Sequence, residues 1–287
     1  MGTVPEASIE RDALPALPEL VIEPRKGWLP INFREIWRYR DLLYFLAWRD
    51  VKVRYKQTVL GFLWAFIQPF TKMVIFSAVF GGLAKIDSEG FPYPIFLYAG
   101  LLPWQFFSES LSRSSTSVVG SANLITKVYF PRLIIPLSAI GACLVDFAIA
   151  FTILVGLMFY YGIPPTLATL LVVPLVAMTI LSAFGVGCLL SALNVTYRDF
   201  RYVIPFLIQI WMYVTPVLYP VKIVPAAWRW VLLLNPLTGI VDAYRSAILG
   251  KPFQWGSLGV SCGLIAVAIL AGAFYFRRTE RRFADII

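Results

Sequence analysis

The chain has 287 residues, of which 59% are hydrophobic and only 14% are charged, and it carries a formal net charge of +9 at pH 7. Water-soluble domains have about 25% charged residues, so this composition excludes an ordinary soluble domain. Histidine is absent, and the three cysteines lie singly in apolar segments, without metal or redox spacing. We therefore expect a membrane protein with no catalytic residues, no metal site and no cofactor of its own.

The chain begins with a polar, proline-containing segment, residues 1–34, that has no continuous apolar run. It is typical of a disordered cytoplasmic tail and lacks the apolar region of a signal peptide. Residues 35–57 then show helical spacing, with an aromatic sector beside a basic one. The aromatic sector contains Trp37, Tyr44, Trp48, Val51 and Tyr55. This pattern predicts an amphipathic interfacial helix in the headgroup layer, either a plain anchor or a part that transmits force.

Residues 58–287 contain six apolar stretches, each about as long as the roughly 20 residues that cross a bilayer. The predicted spans are residues 62–83, 95–119, 134–161, 167–193, 203–219 and 258–276. The second span is the most polar, because residues 108–115 are mostly serine and charged residues that must face other helices or water. Small residues in the fourth span favour close helix packing. The predicted fold class is an all-α integral membrane protein with six transmembrane helices.

The segment between the fifth and sixth spans, residues 220–255, contains two further apolar runs, 226–234 and 237–249. Each run is too short to cross a membrane, and the pair Asn235-Pro236 breaks the helix between them. We predict a re-entrant helical hairpin at the outer face, held in protein rather than lipid.

Most of the 25 Lys and Arg residues lie on one side of this topology, and that side is therefore expected to be cytoplasmic. An even number of spans places both termini there. The cations assigned to the outer side are Lys85, Lys222, Arg229, Arg245 and Lys251. Membrane orientation accounts for the positive charge, so we expect no nucleic-acid partner.

Several ordered strings resemble one membrane protein family. They are residues 48–55 and 60–64, 102–107, 123–125 with 127–132, 197–200, 215–220, and 235–238 with Arg245. Together they resemble the membrane subunits of ABC-2 type polysaccharide exporters, which move O-antigen, capsule and teichoic acid chains. The resemblance extends over about residues 35–280 and is specific as a set.

The resemblance implies a permease subunit that exports lipid-linked polysaccharide across the bacterial inner (cytoplasmic) membrane. It also implies a homodimer of this chain with two copies of a separate ATPase subunit, which would hold ATP and Mg. In agreement, the sequence has no G-x-x-x-x-G-K-S/T phosphate-binding loop, so this chain is not expected to be an enzyme. An exporter of small drugs or lipids is the alternative, and an intramembrane enzyme is disfavoured because clustered acids and histidines are missing.

In the family, the loop 120–132 resembles a coupling helix that contacts the ATPase. Its candidate coupling residues are Asn123, Lys127, Phe130, Pro131 and Arg132. The alternative is a loop whose cations only fix the membrane orientation. The outer hairpin resembles a lid at the outer mouth, and its alternative role is an interfacial anchor.

Two aromatic faces are candidates for the translocation path, because sugar rings stack on aromatic rings. The candidates are Phe62, Phe66, Met73, Phe76 and Phe80 on the first span, and Tyr202, Phe206, Gln209 and Tyr213 on the fifth. The alternative is that these faces contact lipid or only pack the bundle.

Ionisable residues inside spans need partners or water, because a charge at the centre of a helix costs about 2.5–3.5 kcal/mol on insertion scales. Lys72 and Asp146 lie near the middle of their spans. Lys72 is a candidate for contacting a phosphate on the lipid carrier, with simple ion pairing as the alternative, and Asp146 is expected to be structural. Glu109 and Arg113 are four residues apart and are expected to pair.

Overall fold

A computed structural model describes residues 33–56, 61–197, 199–280 and 282–283, although not the side chains of Phe33 and Phe62. Every regular element in these ranges is a helix, which confirms the all-α prediction. The α-helices are α1 Phe33–Arg38, α2 Arg40–Tyr55, α3 Gly61–Phe76, α4 Tyr93–Gly120, α5 Ala122–Lys127, α6 Ile134–Tyr160, α7 Val172–Thr196, α8 Phe200–Val214, α9 Arg229–Leu233, α10 Pro236–Leu249 and α11 Trp255–Glu280. The predicted tail falls almost wholly outside the described residues.

Four of these helical segments are long and apolar enough to cross a membrane. They are Leu63–Leu83, Ile134–Tyr160, Leu167–Thr196 and Trp255–Glu280, within the part of the chain that the structure describes. The first continues α3 through a π-helical turn at Ser77–Leu83, and the third includes a 3₁₀ turn at Leu167–Leu171 before α7. α4 has 28 residues, but its second half is polar, and α8 is a shorter apolar helix of 15 residues.

α4 is the central helix of the bundle and packs against α6, α7 and α10. Its first half is buried on all sides, and in its polar half Ser110, Ser114 and Ser115 are buried. The side-chain amide of Asn194 on α7 donates a hydrogen bond to the carbonyl of Ser115 at 3.0 Å. The serine face of this polar half therefore faces other helices, while Glu109 and Arg113 are exposed, and the sequence predicted contact with other helices or water.

α7 lies between α4 and α11 and approaches both closely through small residues. A Cβ atom on Gly185 would lie only 2.7 Å from the backbone nitrogen of Ile269 on α11. A Cβ atom on Gly272 would overlap the carbonyl oxygen of Gly185, and one on Gly187 would lie 2.9 Å from Cβ of Ser114. The predicted close packing by small residues of this span is confirmed.

The helix break at Asn235 is also confirmed, and the side chain of Asn235 organises the chain around it. Its Oδ1 caps α10 by accepting from the N–H of Leu237 at 3.0 Å, and it accepts from Nε1 of Trp211 at 3.0 Å. Its Nδ2 donates to Oγ1 of Thr215 at 2.8 Å. The strings 215–220 and 235–238 are therefore in direct contact, and α10 is buried against α4, α7 and α11.

Arg245 on α10, one of the cations assigned from the sequence to the outer side of the membrane, is buried and only 2% exposed. Its Nη2 donates to the carbonyl of Val217 at 2.6 Å and its Nε to the carbonyl of Phe96 at 3.3 Å. The guanidinium also lies 3.9 Å from the centre of the Phe96 ring. Gly100 makes room for it, since a Cβ there would lie 2.9 Å from Nη2. Arg245 thus joins α10 to α4 and to the segment after α8.

Candidate functional site

The candidate path face on α3 changes its surroundings along the helix. Phe66 is 39% exposed, whereas Met73 is only 5% exposed and belongs to the core. Phe76 and Phe80 are half-buried against the core, with ring centres 6.0 Å apart in an edge contact. Phe62 lies outside the residues whose side chains are described. Only the first part of this face is therefore open on the single chain.

The candidate path face on α8 is open along its whole length. Tyr202, Phe206 and Tyr213 are 79%, 62% and 59% exposed, and Gln209 is also exposed. On its other side α8 packs against the bundle through the buried Ile204 and through Trp211, whose ring lies 5.2 Å from that of Phe107 on α4. This face is therefore available to lipid, to a second copy of the chain or to a substrate.

The end of α2, together with α3, α4 and α6, encloses a cavity of about 560 Å³, which we call the inner cavity. Its charged lining residues are Arg54, Lys72, Glu109, Arg113 and Asp146. Asp146 binds Arg54 with one oxygen and accepts from the hydroxyl of Tyr55 with the other. Asp146 therefore fixes the end of α2 against α6, in agreement with its predicted structural role.

Lys72 also lines the inner cavity, and its side chain is exposed. It forms no ion pair with any residue that the structure describes. Glu109 and Arg113 form the predicted pair, with 2.5 Å between Oε1 and Nε. Sequence spacing found both residues of this pair, but it gave no sign that Lys72 shares a cavity with them.

The candidate coupling segment divides into an exposed part and an anchored part. Asn123 and Lys127 on α5 are exposed, while Phe130 is only 4% exposed. Arg132 donates to the carbonyl of Glu280 at the end of α11 and lies 5.9 Å from the ring centre of Phe283. Pro131, between Phe130 and Arg132 in the sequence, is half-buried.

Tyr129, which is 63% exposed, was not among the candidate coupling residues. Its neighbour Val128 is 52% exposed. The only sequence signal for Tyr129 was its place in the string 127–132. With Asn123 and Lys127 it forms an exposed patch of mixed aromatic, basic and amide chemistry, which we call the loop patch.

The loop before α4 lies at the end of this helix opposite the loop patch, and charged side chains hold it in place. Glu89 binds Lys251 and lies 3.4 Å from the ammonium of Lys222. Burial alone would raise the pKa of Glu89, but the hydrogen bond and charge of Lys251, together with Lys222, hold the pKa below its usual value. The resulting stabilisation is present above the usual pKa and is lost only as the pH falls through the lowered one. These contacts therefore persist at neutral pH.

The residues that match known proteins include nearly all of the features described above. The sequence model of the ABC-2 type transporter family matches residues 41–249, from α2 to the end of α10. The chain belongs to the ABC-2 type transporter family. The matched range includes both candidate path faces, the inner cavity and the loop patch.

Within this family the chain is similar to permeases along most of its length. It is 30% identical to the O-antigen export system permease protein RfbA of Klebsiella pneumoniae over 86% of this chain and 95% of that protein. The RfbA protein of Myxococcus xanthus is also 30% identical, over 88% of this chain and 98% of its own. The polysialic acid transport protein KpsM of Escherichia coli is 26% identical over 79% and 87% respectively. This ABC-2 transporter chain is therefore a multi-pass membrane protein.

Proposed function

We propose that this chain is the transmembrane subunit of an ATP-driven exporter of lipid-linked polysaccharide. The observation that carries the proposal is the near full-length similarity to O-antigen export permeases, which covers 95% and 98% of two such proteins. The similarity to a polysialic acid transport protein extends the same substrate class to capsule chains. ATP and Mg belong to a separate ATPase subunit, present in two copies, and this chain contributes the membrane path.

The proposed topology has six spans, formed by α3, α4, α6, α7, α8 and α11, in the bacterial inner membrane with both termini cytoplasmic. α1 and α2 lie in the cytoplasmic headgroup layer, which suits the exposed Trp37 on α1 and Tyr44 on α2. α9 and α10 form the re-entrant hairpin at the outer face, and the burial of α10 supports their being held in protein.

Labelling of single cysteines tests this topology, in a background with the three natural cysteines replaced by alanine. A membrane-impermeant maleimide added outside spheroplasts is expected to label Lys222→Cys, and to label Lys127→Cys only after the membrane is permeabilised. Both lysines are exposed, so accessibility depends on the side of the membrane. Labelling of both positions from outside would overturn the six-span assignment.

Two copies of the chain are proposed to enclose the path, with the open face of α8 and the open part of the α3 face lining it. The support is the exposure of Tyr202, Phe206 and Tyr213 on the single chain. Rigid aromatic rings offer stacking surfaces to sugars, and Gln209 offers hydrogen bonds to hydroxyls. Such a lining orients a glycan without holding it tightly.

Cross-linking between copies tests this arrangement. Gln209→Cys on the α8 face is expected to form a covalent dimer with a short bis-maleimide in native membranes, because the two α8 faces line one path. Leu270→Cys, at a position on α11 that is 57% exposed, is the matched control and is expected to stay monomeric. Equal cross-linking at both positions would place the dimer interface elsewhere.

The loop patch is the proposed contact with the ATPase, with the buried Phe130 and the anchored Arg132 holding its shape. Because of this division, exposed residues of the segment test the contact with the ATPase better than buried ones. Substitution of Phe130 disturbs packing as well as any contact, whereas Lys127 and Tyr129 are exposed.

The double substitution Lys127→Glu with Tyr129→Ala is expected to weaken ATPase binding at least about tenfold, which is about 1.4 kcal/mol. Export should fall in parallel, with a normal amount of protein in the membrane, because both side chains are exposed. Co-purification of the ATPase and surface glycan are the two measurements, and Lys85→Glu, a reversal of charge at an exposed lysine outside the patch, is the control. Normal binding and export by the double variant would show that the patch does not couple the subunits.

A further inference from the structure

The inner cavity has the chemistry of an anion site. It holds two carboxylates, Asp146 and Glu109, and both are already engaged, by Arg54 with Tyr55 and by Arg113. Of the three cations on its wall, Lys72 is the one that no carboxylate engages. The lining therefore has an excess of one positive charge.

A hydrogen-bond donor accompanies this charge. Gln105 on α4 lines the same cavity, and its Nε2 atom is buried and has no hydrogen-bond acceptor among the described residues. A buried donor without a partner costs about 1–3 kcal/mol, so such a donor indicates a missing acceptor. A cation and an amide N–H donor from two helices around one cavity are groups that bind a phosphate or a carboxylate.

The rest of the lining indicates that the anion is attached to an apolar body. Trp64, Phe106 and Phe147 supply aromatic surface, and Leu102 and Ala150 add aliphatic surface. The volume of about 560 Å³ is within the range of about 300–1,000 Å³ that holds small organic ligands and is far larger than a phosphate ion needs. Trp64 is 54% exposed, so the α3 side of the cavity is open.

The charged lining of the cavity lies deep in the membrane. Lys72 is eleven residues after the start of α3 and Asp146 is twelve residues after the start of α6, which places each about 16–18 Å along its helix. In the proposed topology both helices start at the cytoplasmic surface. The charged lining therefore lies near the middle of the hydrocarbon core, which is roughly 30 Å thick, on the way that a headgroup takes from one leaflet to the other.

We propose that the inner cavity binds the phosphate end of the lipid carrier during export, with Lys72 binding the charge and Gln105 Nε2 donating a hydrogen bond. The identity of the lipid as the glycan carrier rests on the proposed function. Binding of an amphipathic phosphate does not, because it needs neither glycan nor ATPase.

Binding to the purified, full-length permease in maltoside micelles tests this proposal, with dodecyl phosphate as the probe at pH 7.5, where the monoester is mostly doubly charged. Dodecyl phosphate is expected to bind at least about tenfold more tightly than dodecanol or inorganic phosphate. Lys72→Gln should remove at least about nine-tenths of that affinity, and Gln105→Leu should weaken it severalfold. Lys85→Gln, an exposed lysine outside the cavity, is the control and should bind normally.

The other outcomes overturn defined parts of the proposal. Equal binding by Lys72→Gln and the natural chain, with unchanged thermal unfolding, removes the site. Equal binding of inorganic phosphate removes the lipid, and equal displacement by phosphatidylglycerol makes the ligand a bulk phospholipid rather than a carrier. Export measured in the same variants separates the two proposals: loss of binding with ATP-dependent export retained contradicts the site alone, whereas normal binding with no glycan export contradicts the function alone.

Discussion

Replacing Arg245 by methionine is expected to destabilise the bundle by about 3 kcal/mol and to lower its unfolding midpoint by about 6–12 °C. Methionine has a similar length but no donors, so the carbonyls of Val217, Phe96 and Tyr219 lose their bonds to the guanidinium. Each buried acceptor left without a partner costs about 1–3 kcal/mol. Relief of the cost of burying the cation offsets part of this loss, which is why the expected effect is smaller than the sum.

Arg229→Met is the matched control, because Arg229 also donates to backbone carbonyls, those of Val224 at 2.9 Å and Lys222 at 3.2 Å. These contacts are exposed, so water replaces them, and the expected change is below about 1 kcal/mol. Thermal unfolding of both purified variants, followed by tryptophan fluorescence, makes the comparison. Equal shifts in the two variants would show that burial does not determine how much the hydrogen bonds of Arg245 stabilise the bundle.

Gly272→Ala is expected to prevent correct folding, with a loss of at least about 3 kcal/mol. The added methyl group would overlap the backbone carbonyl of Gly185, and a backbone does not move aside as a flexible side chain does. α7 and α11 would have to separate, and close contact between small residues is a main source of helix association in membranes. Little monodisperse protein is expected in size-exclusion chromatography of detergent extracts.

Gly263→Ala is the control on the same helix, because nothing lies within 4 Å of a Cβ atom at that position. Alanine favours a helix over glycine by about 1 kcal/mol, so this variant should be as stable as the natural chain or slightly more stable. Normal folding of Gly272→Ala would mean that α7 and α11 lie farther apart than described here.

Patterns within a short stretch of sequence predicted much of the architecture. The apolar lengths indicated the long helices, Asn235-Pro236 indicated the break before α10, and the serines of α4 indicated a buried polar face. The pair Glu109 and Arg113 followed from a spacing of four. Each of these features depends on residues that are neighbours along one helix, which is why the sequence contains them.

Contacts between distant segments were not predictable in the same way. Arg245 contacts Phe96, 149 residues away, and its sequence neighbours do not show that carbonyls surround it. The α3 face was predicted as one stripe, but its spacing could not tell that Met73 faces the core while Phe66 is exposed. Likewise, the burial of Phe130 depends on packing, which the spacing in the loop cannot give.

Reconstitution of transport tests the central claim most directly. The purified chain is placed in proteoliposomes with and without its ATPase, and lipid-linked glycan is added on the side where ATP and Mg are supplied. Glycan is expected to become accessible to a glycosidase on the opposite side only when both proteins and hydrolysable ATP are present. Passage of glycan through the isolated chain, without an ATPase, would contradict the account.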